Sequence, residues 1–172
     1  ILKEVNMMAL RNVAVFRDKG LPDEIKRILV PVGSGPNARL ALVMARDITL
    51  PGEAEIVALR LVVGEADDER MEDEELQLHE IVEAELGEFA DKVTLKVRKA
   101  ESVADEILKE CAEGHYDLLI MGSAEEVLVP DQIFGKLNDY LLDVAPCSML
   151  VVRRYQNGTS LWMHKQLKKI EQ

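Results

Sequence analysis

Five short apolar runs, each separated from the next by an amphipathic stretch of helical period, constrain this chain more than any other feature. Residues 27–32, 56–63, 93–97, 118–121 and 147–152 read as strands. Between them, Leu40, Ala41, Met44, Ala45 and Ile48 form one helical stripe, and Leu78, Ile81, Val82, Leu86 and Phe89 a second. Val103, Ile107, Leu108 and Cys111 form a third, and Leu137, Leu141 and Val144 a fourth. Near-continuous apolar strands belong in a parallel sheet covered on both faces, so the pattern predicts an α/β fold with a doubly wound five-stranded parallel sheet. The third run alternates in part and is the expected edge. Sheets of this kind hold ligands outside the carboxyl ends of their strands, where the strand order reverses.

Local signals agree with that frame. Pro51-Gly52 closes the first helix, Ser102 is a good N-cap for the third with Gly114 at its C-terminal position, and Pro146 stops the fourth. Residues 65–75 carry eight carboxylates against the single Arg70, and such clustered like charge predicts a solvated loop. Residues 12–16 are strand-like and residues 1–10 suit a short helix, but neither joins the five-stranded pattern. The expected organisation is a lead-in over residues 1–24 that packs on the domain or exchanges with a partner, a domain over 25–154, and a basic tail over 155–172.

A chain of 172 residues with 48% apolar and 31% charged residues supports one globular domain with an appendage. The net charge of −11 argues against nucleic acid, whose phosphates are bound by lysine and arginine displacing counterions. Cys111 and Cys147 sit in apolar runs and read as small hydrophobes, not as a disulfide framework. No run of eighteen apolar residues occurs, so the expected location is cytoplasmic. A start at Ile1 without methionine suggests a piece of a longer chain. In the tail, Trp162, Met163, Leu167 and Ile170 fall near Lys165, Lys168 and Lys169, a pattern suited to an anionic membrane surface or to packing on the domain or a twin subunit.

The chemistry is expected in two loops at one end of the sheet. Gly33-Ser34-Gly35 follows the first strand, as a phosphate cradle or simply a tight turn into the helix. After the fourth strand come Gly122 and Ser123, then Gly135 and Lys136 at a helix start, where backbone N–H groups and the cation attract an anion. Ser34 and Ser123 are potential nucleophiles, but His79, His115 and His164 are scattered and no base is placed beside either serine. No Cys or His pairs have metal-ligand spacing. The residues thus offer no catalytic constellation and no metal site.

The first strand, Asp117-Leu118-Leu119-Ile120-Met121-Gly122-Ser123, Gly135 and the closing Ala145-Pro146-Cys147 strand together resemble the universal stress protein family, in order and spacing, over about residues 25–154. The resemblance implies an adenine nucleotide alpha hydrolase-like fold and pairing of copies through the fifth strand into a homodimer. In members that hold ATP, an aspartate after the first strand contacts the nucleoside, and the loop after strand four carries a second glycine and a closing hydroxyl. Here Gly33 stands at the aspartate, Glu125 at the second glycine and Lys136 at the hydroxyl, with Glu126 adjacent. Those changes predict a degenerate ATP site, because carboxylates beside a triphosphate repel it. Residues 32–42 look most like copies fused behind membrane transporters. The expectation is a non-enzymatic cytoplasmic regulatory domain at the cytoplasmic face of the membrane, joined to a membrane-embedded transporter domain. The alternative is a freestanding stress protein binding ATP or another adenine nucleotide.

Overall fold

The computed structural model describes residues 11–50, 52–124 and 134–155. Six strands form one sheet: β1 (Val13–Arg17), β2 (Arg27–Pro31), β3 (Glu55–Val63), β4 (Val93–Ala100), β5 (Leu118–Gly122) and β6 (Ser148–Arg153). Their spatial order is β1-β6-β5-β2-β3-β4. Strands β2 to β6 are mutually parallel, and β1 lies antiparallel on β6. The helices are α1 (Pro36–Thr49), α2 (Asp68–Leu86), α3 (Val103–Gly114) and α4 (Lys136–Val144), with a 3-10 turn over Gly87–Lys92.

Successive side chains of a strand face opposite ways, and the core divides accordingly. Ile28, Val30, Ile56, Ala58, Leu118 and Ile120 pack with Ala41, Leu42 and Ala45 of α1 and Leu78, Val82 and Leu86 of α2. Leu29, Val57, Leu59, Leu119 and Met121 pack on the other face with Ile107 and Cys111 of α3 and Leu141 of α4. Cys111 and Cys147 are both free and buried in this second layer. Two helices on each face bury the inner strands on both sides, which is why β2, β5 and β6 are near-continuous apolar runs.

The sequence expectation of five strands is corrected by β1. Residues 13–17 belong to the sheet, pairing Val13 with Arg153 through Arg17 with Met149. A polar latch follows the strand. Lys19 Nζ donates to the carbonyls of Asp143 (2.9 Å) and Ala145 (2.6 Å) at the C-terminal end of α4, where a cation is favoured. Arg17 pairs with the Asp143 carboxylate at 2.9 Å, and Ser148 Oγ donates to Asp18 at 3.1 Å. Hydrogen bonds from the N–H groups of Leu21 and Gly20 and from Ser148 hold the Asp18 carboxyl below its ordinary pKa. The β6 edge, which the sequence leaves either to a second copy or to the lead-in strand, is therefore occupied within the chain by β1. Deleting residues 1–24 is expected to uncover that apolar edge and raise the mass seen by light scattering above that of a monomer, since open strand edges template pairing; a truncated chain that stays monomeric would show that β6 needs no cover.

Two other expectations shift and two hold. The acidic run is mostly helix, because α2 begins at Asp68, with Asp67 accepting from the Arg70 N–H at 2.9 Å; Asp68 and Glu69 in the first turn favour the positive end of the helix dipole. His115, not Gly114, takes the left-handed conformation after α3 (φ 50°). Ser102 caps that helix as expected, accepting from Asp105 N–H. Strand β4 is the outer strand opposite β1, as expected. The helix expected over residues 1–10, the tail stripe from Trp162 to Ile170, His164, Glu125 and Glu126 lie outside the described residues.

Candidate functional site: a cleft at the strand-order reversal

The chain runs from β2 to β3 and β4 on one side and returns to β5 and β6 on the other, so the order reverses between β2 and β5. The ladder joining those two strands pairs Ile28 with Leu118 and Leu29 with Leu119 and stops there. Beyond it, the segments following β2 and β5 border a cleft of about 640 Å³, within the usual range for a small-molecule site.

Five of the seven sequence candidates meet here: Gly33, Ser34, Gly35, Gly122 and Ser123 all line the cleft. The other two do not. Gly135 is buried as the N-cap of α4, and Lys136 is exposed on its first turn. The turn over residues 33–35 is open, since a Cβ at Gly33 would touch nothing within 4 Å. It leads into α1, whose N-cap Gly35 supplies no side-chain hydrogen bond, leaving N–H groups of the first turn without a side-chain cap.

Gly122 has a different reason to be glycine. A Cβ there would lie 2.4 Å from the Asn37 carbonyl carbon and 2.5 Å from the Ala38 nitrogen, so the α1 backbone approaches β5 closely enough to exclude any side chain. Gly135 adopts φ +97°, and a Cβ there would also stand 2.7 Å from that of Ala124. Gly135→Ala is expected to cost about 1–3 kcal/mol from strain and overpacking, read as a lower midpoint in urea; an unchanged midpoint would contradict the tight Gly135–Ala124 contact.

Sequence reasoning missed Asn37, whose buried amide organises the floor of the cleft. Its Nδ2 donates to Ser123 O at 2.8 Å and Ser123 Oγ at 3.2 Å, and its Oδ1 accepts from Arg154 N–H at 2.7 Å. Asn138 of α4 supports the same loop, donating to the carbonyls of Gly122 (3.2 Å) and Phe134 (3.1 Å). An asparagine beside a helix start reads as capping chemistry, so only the fold reveals these partners. Arg60 was missed too. It is the one charged side chain lining the cleft among the described residues, with Nε on Glu74 at 2.8 Å and Nη1 on Val32 O at 3.1 Å.

Apolar side chains supply most of the remaining wall, among them Leu59, Leu61, Val103, Ile107 and Leu137. Among the described residues no histidine and no carboxylate lines the cleft, and no His, Cys, Asp and Glu group of metal-binding size occurs. No described helix is long and apolar enough to cross a membrane.

Comparison with known proteins was decisive for the family. The model of the universal stress protein family matches residues 24–153, most of the chain. The chain belongs to the universal stress protein family. Solved members of similar fold include the universal stress protein UspA from Lactobacillus plantarum, 20% identical with a TM-score of 0.64, covering 77% of this chain and 100% of its own. A universal stress protein in complex with cAMP is 13% identical over 76% of this chain and 98% of that one, TM-score 0.60. The family protein from Arabidopsis thaliana with AMP bound is 18% identical over 78% of this chain and 94% of that one, TM-score 0.52. No curated protein matches the chain. At these identities the structural likeness speaks for the universal stress protein fold alone.

Proposed function

We propose that this universal stress protein domain is a non-enzymatic module that binds an adenine nucleotide in the cleft between β2 and β5 and passes occupancy on as a regulatory signal. The observation that carries the reading is the cleft itself, at the strand-order reversal, with an open glycine turn, a helix start lacking a side-chain cap and apolar walls. That solved relatives of the same fold hold AMP or cAMP supports it. Ser123 is bonded to an amide and no base lines the described cleft, which supports binding over catalysis. Titration calorimetry with AMP is expected to show saturable binding, and no heat up to millimolar nucleotide would overturn the reading.

Gly33 gives a second handle on the same site. Space around its Cβ is open, so Gly33→Asp is expected to fold with stability within about 0.5 kcal/mol of the parent. If the family aspartate contacts the nucleoside from this position, the variant gains a charge-assisted hydrogen bond and adenosine affinity rises on the order of tenfold. Calorimetry on the variant reads both. The likeness of residues 32–42 to transporter-fused copies supports attachment to a membrane-embedded transporter, which the reading frame upstream of Ile1 tests.

A further inference from the structure

The charges around the cleft narrow the ligand further. Arg60 is the one charged group on the described walls, and Glu74 neutralises it at 2.8 Å, with both side chains largely buried. Arg39, on the second turn of α1, is likewise matched by Glu85 at 2.9 Å. Lys136 and Arg154 are exposed and do not line the cleft. At the cleft rim the Ala124 N–H donates to the Phe134 carbonyl at 3.0 Å. The nine residues between them include Glu125, Glu126 and Asp131 and no lysine or arginine. The whole chain carries −11.

A helix start offers roughly half a positive charge, enough to favour one phosphate. A triphosphate brings three or four negative charges into a partly desolvated site where unpaired charge is costly. Resting on the nucleotide-binding reading above, we infer that the cleft selects an adenine nucleoside bearing a single phosphate or none, and discriminates against the triphosphate. The apolar walls take the base and sugar, the α1 turn takes one phosphate, and the paired arginines leave no net positive charge for a second or third.

The test is calorimetric titration of the full chain with adenosine, AMP and Mg-ATP at one ionic strength. AMP or adenosine is expected to bind at least about tenfold more tightly than Mg-ATP. Equal or tighter binding of Mg-ATP would overturn the inference while leaving the nucleotide site standing; binding of none of the three would remove both. Glu74→Gln then frees the Arg60 charge, and its predicted signature is a severalfold gain for Mg-ATP that diminishes as salt is raised, with adenosine unchanged. Adenosine binding serves as the control for folding in that variant. A gain of the same size for adenosine would assign Glu74 to the shape of the cleft instead of its charge, and would count against the inference.

Discussion

Gly122→Ala is expected to lower the unfolding free energy by about 3 kcal/mol, at the upper end of overpacking penalties. The added methyl would meet the backbone of Asn37 and Ala38 at 2.4–2.6 Å. Main-chain atoms cannot rotate away as a side-chain tip does, so α1 must be pushed off β5. That shift loosens the amide of Asn37 from Ser123 and opens the floor of the cleft, so AMP affinity falls together with stability. Urea denaturation and calorimetry read the two effects. A variant with parental stability would show that the α1 start does not lie against β5.

Glu110→Ala is expected to destabilise the domain by about 3–5 kcal/mol, the cost of removing one partner from a buried ion pair. Glu110 is 1% exposed. Its Oε1 accepts from Lys96 Nζ and from Tyr116 Oη, both at 2.7 Å, and its Oε2 lies 3.1 Å from Arg98. The network ties α3 to the outer strand β4. Burial by itself would raise the carboxyl pKa, but Lys96, Tyr116 and Arg98 outweigh it and hold Glu110 below its ordinary value. A carboxylate depressed in the folded state stabilises it above the unfolded-state pKa and loses that contribution as pH falls through the folded-state value. Parental stability should therefore decline on acidification below the ordinary glutamate range. Glu110→Gln should flatten that decline; an unaltered pH profile would contradict the assignment.

Tyr116 has a second role in the same corner. Its ring lies under the Arg27 guanidinium, 4.7 Å from carbon to ring centre. Burial, and then the Glu110 carboxylate accepting its proton, raise the phenol pKa. Asp117 follows with its own tie, accepting from the N–H groups of Lys26 (2.8 Å) and Arg27 (3.0 Å). The Tyr116-Asp117 pair that opens β5 thus fastens the start of β2, which explains its place in the motif without giving it any part in the cleft.

What could be read from the chain depended on whether the signal was periodic. The five central strands and four helices announced themselves because two buried layers demand apolar residues at fixed spacings. The first two turns of α2 did not, because Asp68 to Glu75 are mostly exposed acids held by a cap and a dipole, with no apolar stripe to count. Strand β1 was visible as a strand and as one of two possible covers for the apolar β6 edge, but nothing in residues 13–17 decides between that edge and a second copy. The glycines marked the right loops, but spacing could not say that Gly122 serves helix–strand approach and Gly135 a positive φ. Asn37 and Arg60 gave no signal at all, because their roles are set by Ser123, Arg154, Glu74 and Val32, residues distant in sequence.

One consequence of the Asn37 amide concerns motion. It grips the loop after β5 with its nitrogen and the backbone just beyond β6 with its oxygen, while sitting on the first turn of α1. Tyr155 N–H, one residue further, donates to Asn12 at 2.8 Å. A displacement of the α1 start must be shared by all of these or must break bonds of about 1 kcal/mol each. The corner where residues 12 and 155 meet is thereby tied to the cleft: a shift of the floor either carries that corner with it or costs the bonds between them.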